Sequence, residues 1–284
     1  MQINLEKIKE KKSTKELLEF GIINIDKPQN MTSFDVSDFV RKKLKLRKTS
    51  HFGTLDPMVT GVLPIALNRA CKLTGFFLGE DKEYIGTMKI HGDISLEKTK
   101  EAIKKGFIGK IMQLPPVRSR VKRQEREREI KVFHLIEKNG KDVTFRTEVQ
   151  GGTYIRKLVH DLGESLGVGA HMTKLRRIRA GIFQEKDSVQ LRDIEQFDEK
   201  DLKEKIIPAE TIGTIYPSFE VKKQFVDKLL HGAPIDSKFL VKKEEPEKNK
   251  IVCIFAGEQF VGMYKIVNEK NVFARPEFVL QPLK

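Results

Sequence analysis

Residues 142–167 change hydrophobic period partway along, and that change limits the fold more than any other feature of the chain. Val143, Phe145, Thr147 and Val149 alternate with Asp142, Thr144, Arg146 and Glu148, the period of a strand with one buried face. An Asn139-Gly140 turn signal and apolar residues from Ile130 precede it, so residues 130–149 are predicted to form an antiparallel hairpin. After Gly151-Gly152 the apolar residues Ile155, Leu158, Val159, Leu162 and Leu166 share one helical face, with Gly167 placed to end the run. This order departs from the strict strand–helix–strand alternation of a doubly wound sheet. It predicts an α+β fold.

The remaining signals fit that class. Ile22 to Ile25 reads as a strand that turns at Asp26-Lys27-Pro28, and Thr32 or Ser33 caps a helix containing Phe34, Val36, Phe39, Val40 and Leu44. A strand over Tyr84–His91 and a helix over Ser95–Lys105 are expected in the middle. Near residue 215 the composition shifts to a short helix ending at Gly232 and strands over Phe239–Val241, Ile251–Phe255, Gln259–Val267 and Val272–Leu280, the last interrupted by Pro276. Lys242–Lys250 reads as a solvated loop. Residues 1–19 fit either a short amphipathic helix or a mobile arm. The expected organisation is therefore a charged N-terminal arm (1–19), a larger domain (20–214) and a small β-rich domain (215–284).

Charge identifies the class of partner. The chain of 284 residues has 54 Lys and Arg against 40 Asp and Glu, a net charge of +14, of which +11 falls on residues 1–214. A basic excess of that size points to a polyanion. Three clusters carry it: residues 41–48, with Arg41, Lys42 and Lys43 and no acid among them; residues 118–131, with Arg118, Arg120 and Lys122; and Lys174–Arg179, with Arg176. Phosphate contacts would use all three; for 118–131, where Glu125, Glu127 and Glu129 interleave, a solvated charged face is the other reading. No apolar run approaches a membrane span, and residues 1–20 lack the apolar stretch of a signal peptide, so a soluble cytoplasmic protein is expected, with no membrane partner. Cys71 and Cys253 stand alone and read as reduced core residues.

The densest candidate for chemistry is His51-Phe52-Gly53-Thr54-Leu55-Asp56-Pro57. Gly and Pro around Asp56 make this a loop. A carboxylate among Leu55, Met58 and Val59 would be poorly solvated, and would serve as a nucleophile or base only beside a cation; an Asp that merely caps a turn is the other reading. No histidine or cysteine spacing suits a metal, and no glycine-rich phosphate loop is present, so no metal and no organic cofactor is expected.

These residues resemble the TruB-type pseudouridine synthases, and most closely the archaeal, dyskerin-like members that act in box H/ACA ribonucleoproteins. Gly21–Pro28 and His51–Pro57 resemble the first and the catalytic motifs, Lys82-Glu83-Tyr84 the segment whose Tyr stacks on the target base, Gly152–Arg156 the segment whose Arg pairs with the catalytic Asp, and Leu175-Arg176-Arg177 a motif lining the pocket. Gln113–Val117 leading into Arg118–Ile130 resembles the dyskerin-type version. The resemblance implies an α+β catalytic domain with a mixed, mainly antiparallel sheet plus a small β-rich PUA domain, with Asp56, Tyr84 and Arg156 catalytic and His51, Thr54, Leu175 and Lys27 around the substrate. It further implies isomerisation of uridine in ribosomal RNA chosen by a box H/ACA guide RNA, or of the TΨC-loop uridine of tRNA by a stand-alone enzyme. An RNA-binding scaffold without catalysis would not need the Asp56, Tyr84 and Arg156 set. For a guided enzyme the implied partners are a small H/ACA protein that buttresses the catalytic domain, an H/ACA β-barrel protein and a kink-turn-binding ribosomal-type protein. Asn30 stands where the family usually has Gly; Asn tolerates left-handed geometry, so the turn is expected to survive.

Overall fold

The structure is a computed structural model that describes residues 3–115, 122–242, 246–269 and 271–281. In chain order it contains α1 (Leu5–Lys11), α2 (Thr14–Glu19), β1 (Gly21–Lys27), α3 (Ser33–Lys43), β2 (Thr49–His51), β3 (Thr60–Leu67), α4 (Thr74–Leu78), β4 (Lys82–Ile90), α5 (Leu96–Gly106), β5 (Gly109–Gln113), β6 (Arg126–Asn139), β7 (Asp142–Val149), α6 (Ile155–Ser165), β8 (Ala170–Ala180), β9 (Phe183–Gln184), β10 (Val189–Gln190), α7 (Glu199–Lys205), β11 (Ile206–Pro208), β12 (Ser218–Glu220), α8 (Val226–Leu230), β13 (Ile235–Asp236), β14 (Ile251–Ala256), β15 (Gln259–Glu269) and β16 (Val272–Val279). These divide into two compact units, residues 23–66 with 73–198, and residues 1–22 with 67–72 and 199–284. Among the described residues no helix is long and apolar enough to cross a membrane.

The first unit is built on a sheet in the order β10-β1-β3-β8-β4-β7-β6-β5, with β2 added to β3 and β9 to β8. β3 and β8 run parallel, whereas β4 is antiparallel to both β8 and β7, so the expected mixed, mainly antiparallel sheet is present. Hairpin β6–β7 turns at Gly140 with φ of 58°, and α6 follows as its periodicity requires, burying Ile155, Leu158, Val159 and Leu162. Thr32, not Ser33, caps α3, in a reciprocal box with Asp35. Two strands exceed what patterning shows. β6 begins at Arg126, because Arg126–Glu129 pair with the edge strand β5 and need no apolar face; β8 contains the whole of the third basic cluster, whose Lys and Arg residues mask the alternation.

The second unit packs Phe219, Val221, Leu229, Leu230 and Phe239 against Val252, Ile254, Tyr264 and Phe273 in one core. Its sheet runs β12-β14-β15-β16-β13. The expected strand over 239–241 is instead a tight helical turn at Ser237–Phe239 followed by a single bridge from Leu240 to Val221, since Phe239 turns in to stack on Phe225 at 4.1 Å. Pro276 is tolerated because β13 reaches only Val272 and Ala274 of β16. Residues 5–19 form two capped helices that belong to this unit, burying Ile8 and Leu17 and pairing Lys12 with Glu210 at 2.5 Å, so the helical reading of the N-terminus holds in place of the mobile arm. Of the solvated loop, Lys242 and residues 247–250 are exposed, and 243–245 lie outside the described residues.

Candidate active site

Side chains beneath the Asp56 loop hold its backbone on both sides. Lys27, at the end of β1, is fully buried, and its ammonium donates to the carbonyls of Pro28 (2.8 Å), Met31 (2.6 Å) and Pro57 (3.1 Å). Burial pushes its pKa below the ordinary lysine range, opposed by the negative charges of Asp56 and Asp35. From the other side the buried Ser33 hydroxyl accepts from the Leu55 N–H at 2.8 Å and donates to the Leu55 carbonyl at 3.1 Å. The Val59 N–H donates to the Asp56 carbonyl at 2.9 Å, closing a turn over residues 56–59. Asn30 adopts φ of 67° and donates its N–H to the Pro57 carbonyl at 2.8 Å, so the expected left-handed turn forms without glycine.

The upstream half of the loop is anchored by rings and cations. Phe52 stacks on Phe77 at 4.4 Å and meets Phe183 at 5.9 Å. Arg177, buried on β8, donates to the carbonyls of Val62 (2.7 Å) and Gly53 (3.1 Å). Among the described residues His51 Nδ1 is buried with no partner, and burial together with the Arg177 charge lowers the His51 pKa, favouring the neutral ring. Lys82, also buried, donates to the carbonyls of Leu78 at 2.7 Å and of Glu80, and burial, reinforced by Arg177, pushes it down to about 8 from 10.5. The unfolded chain keeps this proton to about pH 10.5 while the folded chain releases it near 8, so its contribution to stability grows across that window and is lost as pH falls through 8. Denaturant unfolding at pH 7 and pH 10 should show wild type gaining on Lys82→Met by an amount on the order of 3 kcal/mol; a pH-independent difference would contradict the buried-cation account.

Arg156 enters from the first turn of α6. The start of that helix is set by Gln113, buried on β5, which accepts from the Tyr154 N–H at 3.0 Å and donates to the Tyr154 carbonyl at 3.3 Å, and by Arg128, which donates to the Gly152 carbonyl at 3.1 Å. The Arg156 guanidinium then hydrogen-bonds and ion-pairs with the Asp56 carboxylate. The pair is open to solvent, with side-chain exposures of 59% for Arg156 and 50% for Asp56. This corrects the expectation of a poorly solvated carboxylate: Leu55 and Val59 turn into the core, but Met58 turns out.

The strands beside the loop carry the remaining candidates. Tyr84, buried on β4, pairs across with Arg177, and Gly86 pairs with Leu175, putting Tyr84, Leu175 and Arg177 on one sheet face. Gly86 is required there, since a Cβ would come within 2.6 Å of Phe145 and 2.9 Å of Leu175. Thr54 is exposed. Arg176 points the other way and is engaged by Asp26 at 2.8 Å and by Glu185. The α3 cluster is likewise compensated: Arg41 and Lys42 pair with Asp38 at 2.7 and 2.8 Å, and Lys43 with Glu195 at 2.5 Å. The unopposed run of cations in the sequence is therefore corrected, because a helix returns Asp38 to the same face one turn earlier. Lys122 is exposed; Arg118 and Arg120 lie outside the described residues.

Three residues hold the site in roles that the sequence reading did not give them: Ser33, Gln113 and Arg177. Each had a signal. Only one of Thr32 and Ser33 can cap α3, leaving the other hydroxyl for another task, and Arg177 lies two residues from inward-facing Leu175. Gln113 had only its place before Leu114-Pro115.

Two family models match the chain, the TruB family pseudouridylate synthase N-terminal domain over residues 41–155 and the tRNA pseudouridylate synthase B C-terminal domain over residues 156–212. A probable tRNA pseudouridine synthase B of Methanopyrus kandleri is 41% identical over 255 residues, covering 87% of this chain and 75% of that protein. The corresponding protein of Methanocaldococcus jannaschii is 44% identical over 228 residues, covering 78% and 68%. Among solved structures, the chain resembles one in a Cbf5-Nop10-Gar1 complex with TM-score 0.88 and 35% identity over 96% of this chain and 89% of that one. It also resembles one in an archaeal box H/ACA Nop10-Cbf5 complex with TM-score 0.86, 33% identity and coverage of 96% and 90%. With its mixed sheet, its motifs and these relatives in agreement, the chain belongs to the TruB family of pseudouridine synthases, RNA-modifying isomerases.

Proposed function

We propose that the chain isomerises uridine in ribosomal RNA selected by a box H/ACA guide, with Asp56 as the reacting carboxylate. The observation that carries the assignment is the Asp56–Arg156 pair on a turn whose backbone is tied at Leu55 and Pro57. The reaction breaks the C1′–N1 bond, turns the uracil and rejoins it through C5, so the nucleotide must be flipped out and its detached base retained. Arg156 orients the carboxylate by a charge-assisted bond. Tyr84 supplies the stacking platform and Leu175 the apolar wall. His51, kept neutral, supports the flipped nucleotide with Thr54, while Lys27 fixes the loop from below. Arg41, Lys42, Lys43 and Lys122 would meet phosphates by exchanging their present partners or water for them. No cofactor enters this scheme.

Similarity over 96% of the chain to proteins solved in H/ACA complexes supports the guided reading, and with it a PUA role for the β-rich unit. The partners would then be a guide RNA, a small buttressing protein, a β-barrel protein and a kink-turn-binding protein. The relatives named tRNA pseudouridine synthase B support the second reading, a stand-alone enzyme acting on the TΨC-loop uridine. Tritium release from RNA labelled at uridine C5 separates them. We expect release from a guide-paired target in the presence of the accessory proteins and little from a tRNA transcript with the protein alone; efficient release from tRNA alone would make this primarily a tRNA enzyme.

A further inference from the structure

We propose that Phe34 and Met58 form an apolar contact surface for unpaired bases of the substrate RNA beside the target uridine. This rests on the placement of the chemistry at Asp56. Phe34 is 72% exposed and Met58 59% exposed. Met58 lies on the clamped loop and Phe34 on α3, which clamps it. Ser33, one residue before Phe34, is the residue whose hydroxyl binds both backbone groups of Leu55, one residue before Asp56. Each step is one peptide, about 3.8 Å between Cα atoms, so Phe34 and Asp56 flank a single hydrogen-bonded junction. On α3 the inward residues are Ser33, Val36, Ser37 and Val40; Phe34, rotated about 100° from Ser33, leaves that face and projects into solvent.

Met58 occupies the tip of the turn closed by the Val59 N–H and the Asp56 carbonyl, at 2.9 Å. Turn tips ordinarily carry Gly, Asn, Asp or Ser, which suit the backbone and face water. A methionine there, with a phenylalanine across the junction, leaves two large apolar groups in water on either side of the Ser33–Leu55 contact, the kind of surface that marks a binding region. The occupant follows from position. Anything resting permanently on Met58 would cover Asp56, which shares its turn, so the occupant compatible with turnover is the substrate. Aromatic faces take up unstacked bases irrespective of sequence, and methionine adapts to irregular apolar surfaces. Neither residue contributes charge, so this contact is separable from the basic clusters.

The test is the affinity of the full chain for a fluorescein-labelled tRNA transcript and for a labelled target paired with its guide, at several salt concentrations. The variants are Phe34→Ala, Met58→Ala, the double variant and Phe34→Tyr. Both side chains are exposed, so thermal unfolding should be unchanged. We expect the double variant to bind the RNA that wild type turns over about tenfold more weakly, with the same slope of log affinity against log salt, because no phosphate contact is lost. Phe34→Tyr should stay within about twofold of wild type, since the ring is what stacks. Wild-type affinity in the double variant for both RNAs would overturn the proposal, as would a loss seen only when accessory proteins are present, which would make the surface a protein contact. Tritium release by wild type, measured in parallel, tests the assignment of the reaction separately: absent release overturns that assignment, while the affinities still decide whether the surface holds RNA.

Discussion

Asp56→Asn should abolish pseudouridine formation, lowering turnover by at least about 10⁴-fold, the scale on which removal of one member of a catalytic set registers. The amide keeps the size of the carboxylate but loses its charge, and with it both the bond-making capacity proposed for Asp56 and the ion pair with Arg156. Folding should not suffer. Both partners are half exposed or more, and an exposed ion pair contributes only about 0–1 kcal/mol to stability. RNA affinity should remain within about twofold, because contacts from charged side chains and phosphates dominate it. The measurements are tritium release from C5-labelled RNA and RNA binding by the same preparation. Residual turnover above about one thousandth of wild type would remove Asp56 from the chemistry.

Gly61→Ala should be strongly destabilising, because strain and collision act together there. Gly61 has φ of 100° and faces Arg177 across the parallel β3–β8 pair, where an added Cβ would run into the Arg177 backbone carbonyl. The left-handed conformation costs a non-glycine residue about 1–3 kcal/mol, and pressing against backbone that a sheet cannot easily yield adds about 1–3 kcal/mol. We expect a loss of about 4 kcal/mol in denaturant unfolding. Activity at temperatures where the variant stays folded should also fall, since displacement of β8 moves Arg177 off the Gly53 carbonyl that it holds at 3.1 Å. Gly79→Ala is the control: no atom of the described residues lies within 4 Å of its added Cβ, and its φ of −71° suits alanine. A Gly61→Ala protein as stable as that control would contradict the packing described here.

These predictions combine two kinds of information. Local order was written in the chain. The change of period at Gly151-Gly152 located hairpin β6–β7 and helix α6, and the Gly, Asp and Pro around residue 56 located a loop; that Asp56 and Arg156, 100 residues apart in sequence, are partners was implied by the family resemblance before any coordinate placed them together. The first two depend on backbone geometry over a few residues, which a linear sequence records directly. Strand β8 escaped because one of its inward positions is Arg177, and an arginine is read as solvent-facing until the carbonyls that receive it are known.

Tertiary structure decided the environment of each charge. Arg176 and Arg177 are neighbours of the same type, yet the pleat sends one to Asp26 and Glu185 and buries the other against Val62 and Gly53. Arg41, Lys42 and Lys43 looked unopposed until the α3 turn and a distant Glu195 supplied their counterions. The exposure of Asp56 followed from which way Leu55, Met58 and Val59 turned about one tight turn. The sequence by itself determined which residue types and periods were available, and so the class of fold and the family. Solvation, ion pairing and the clamp on the Asp56 loop were decided only by the fold, because each depends on the distance between side chains from remote segments, and electrostatic and hydrogen-bond energies fall away within a few ångströms.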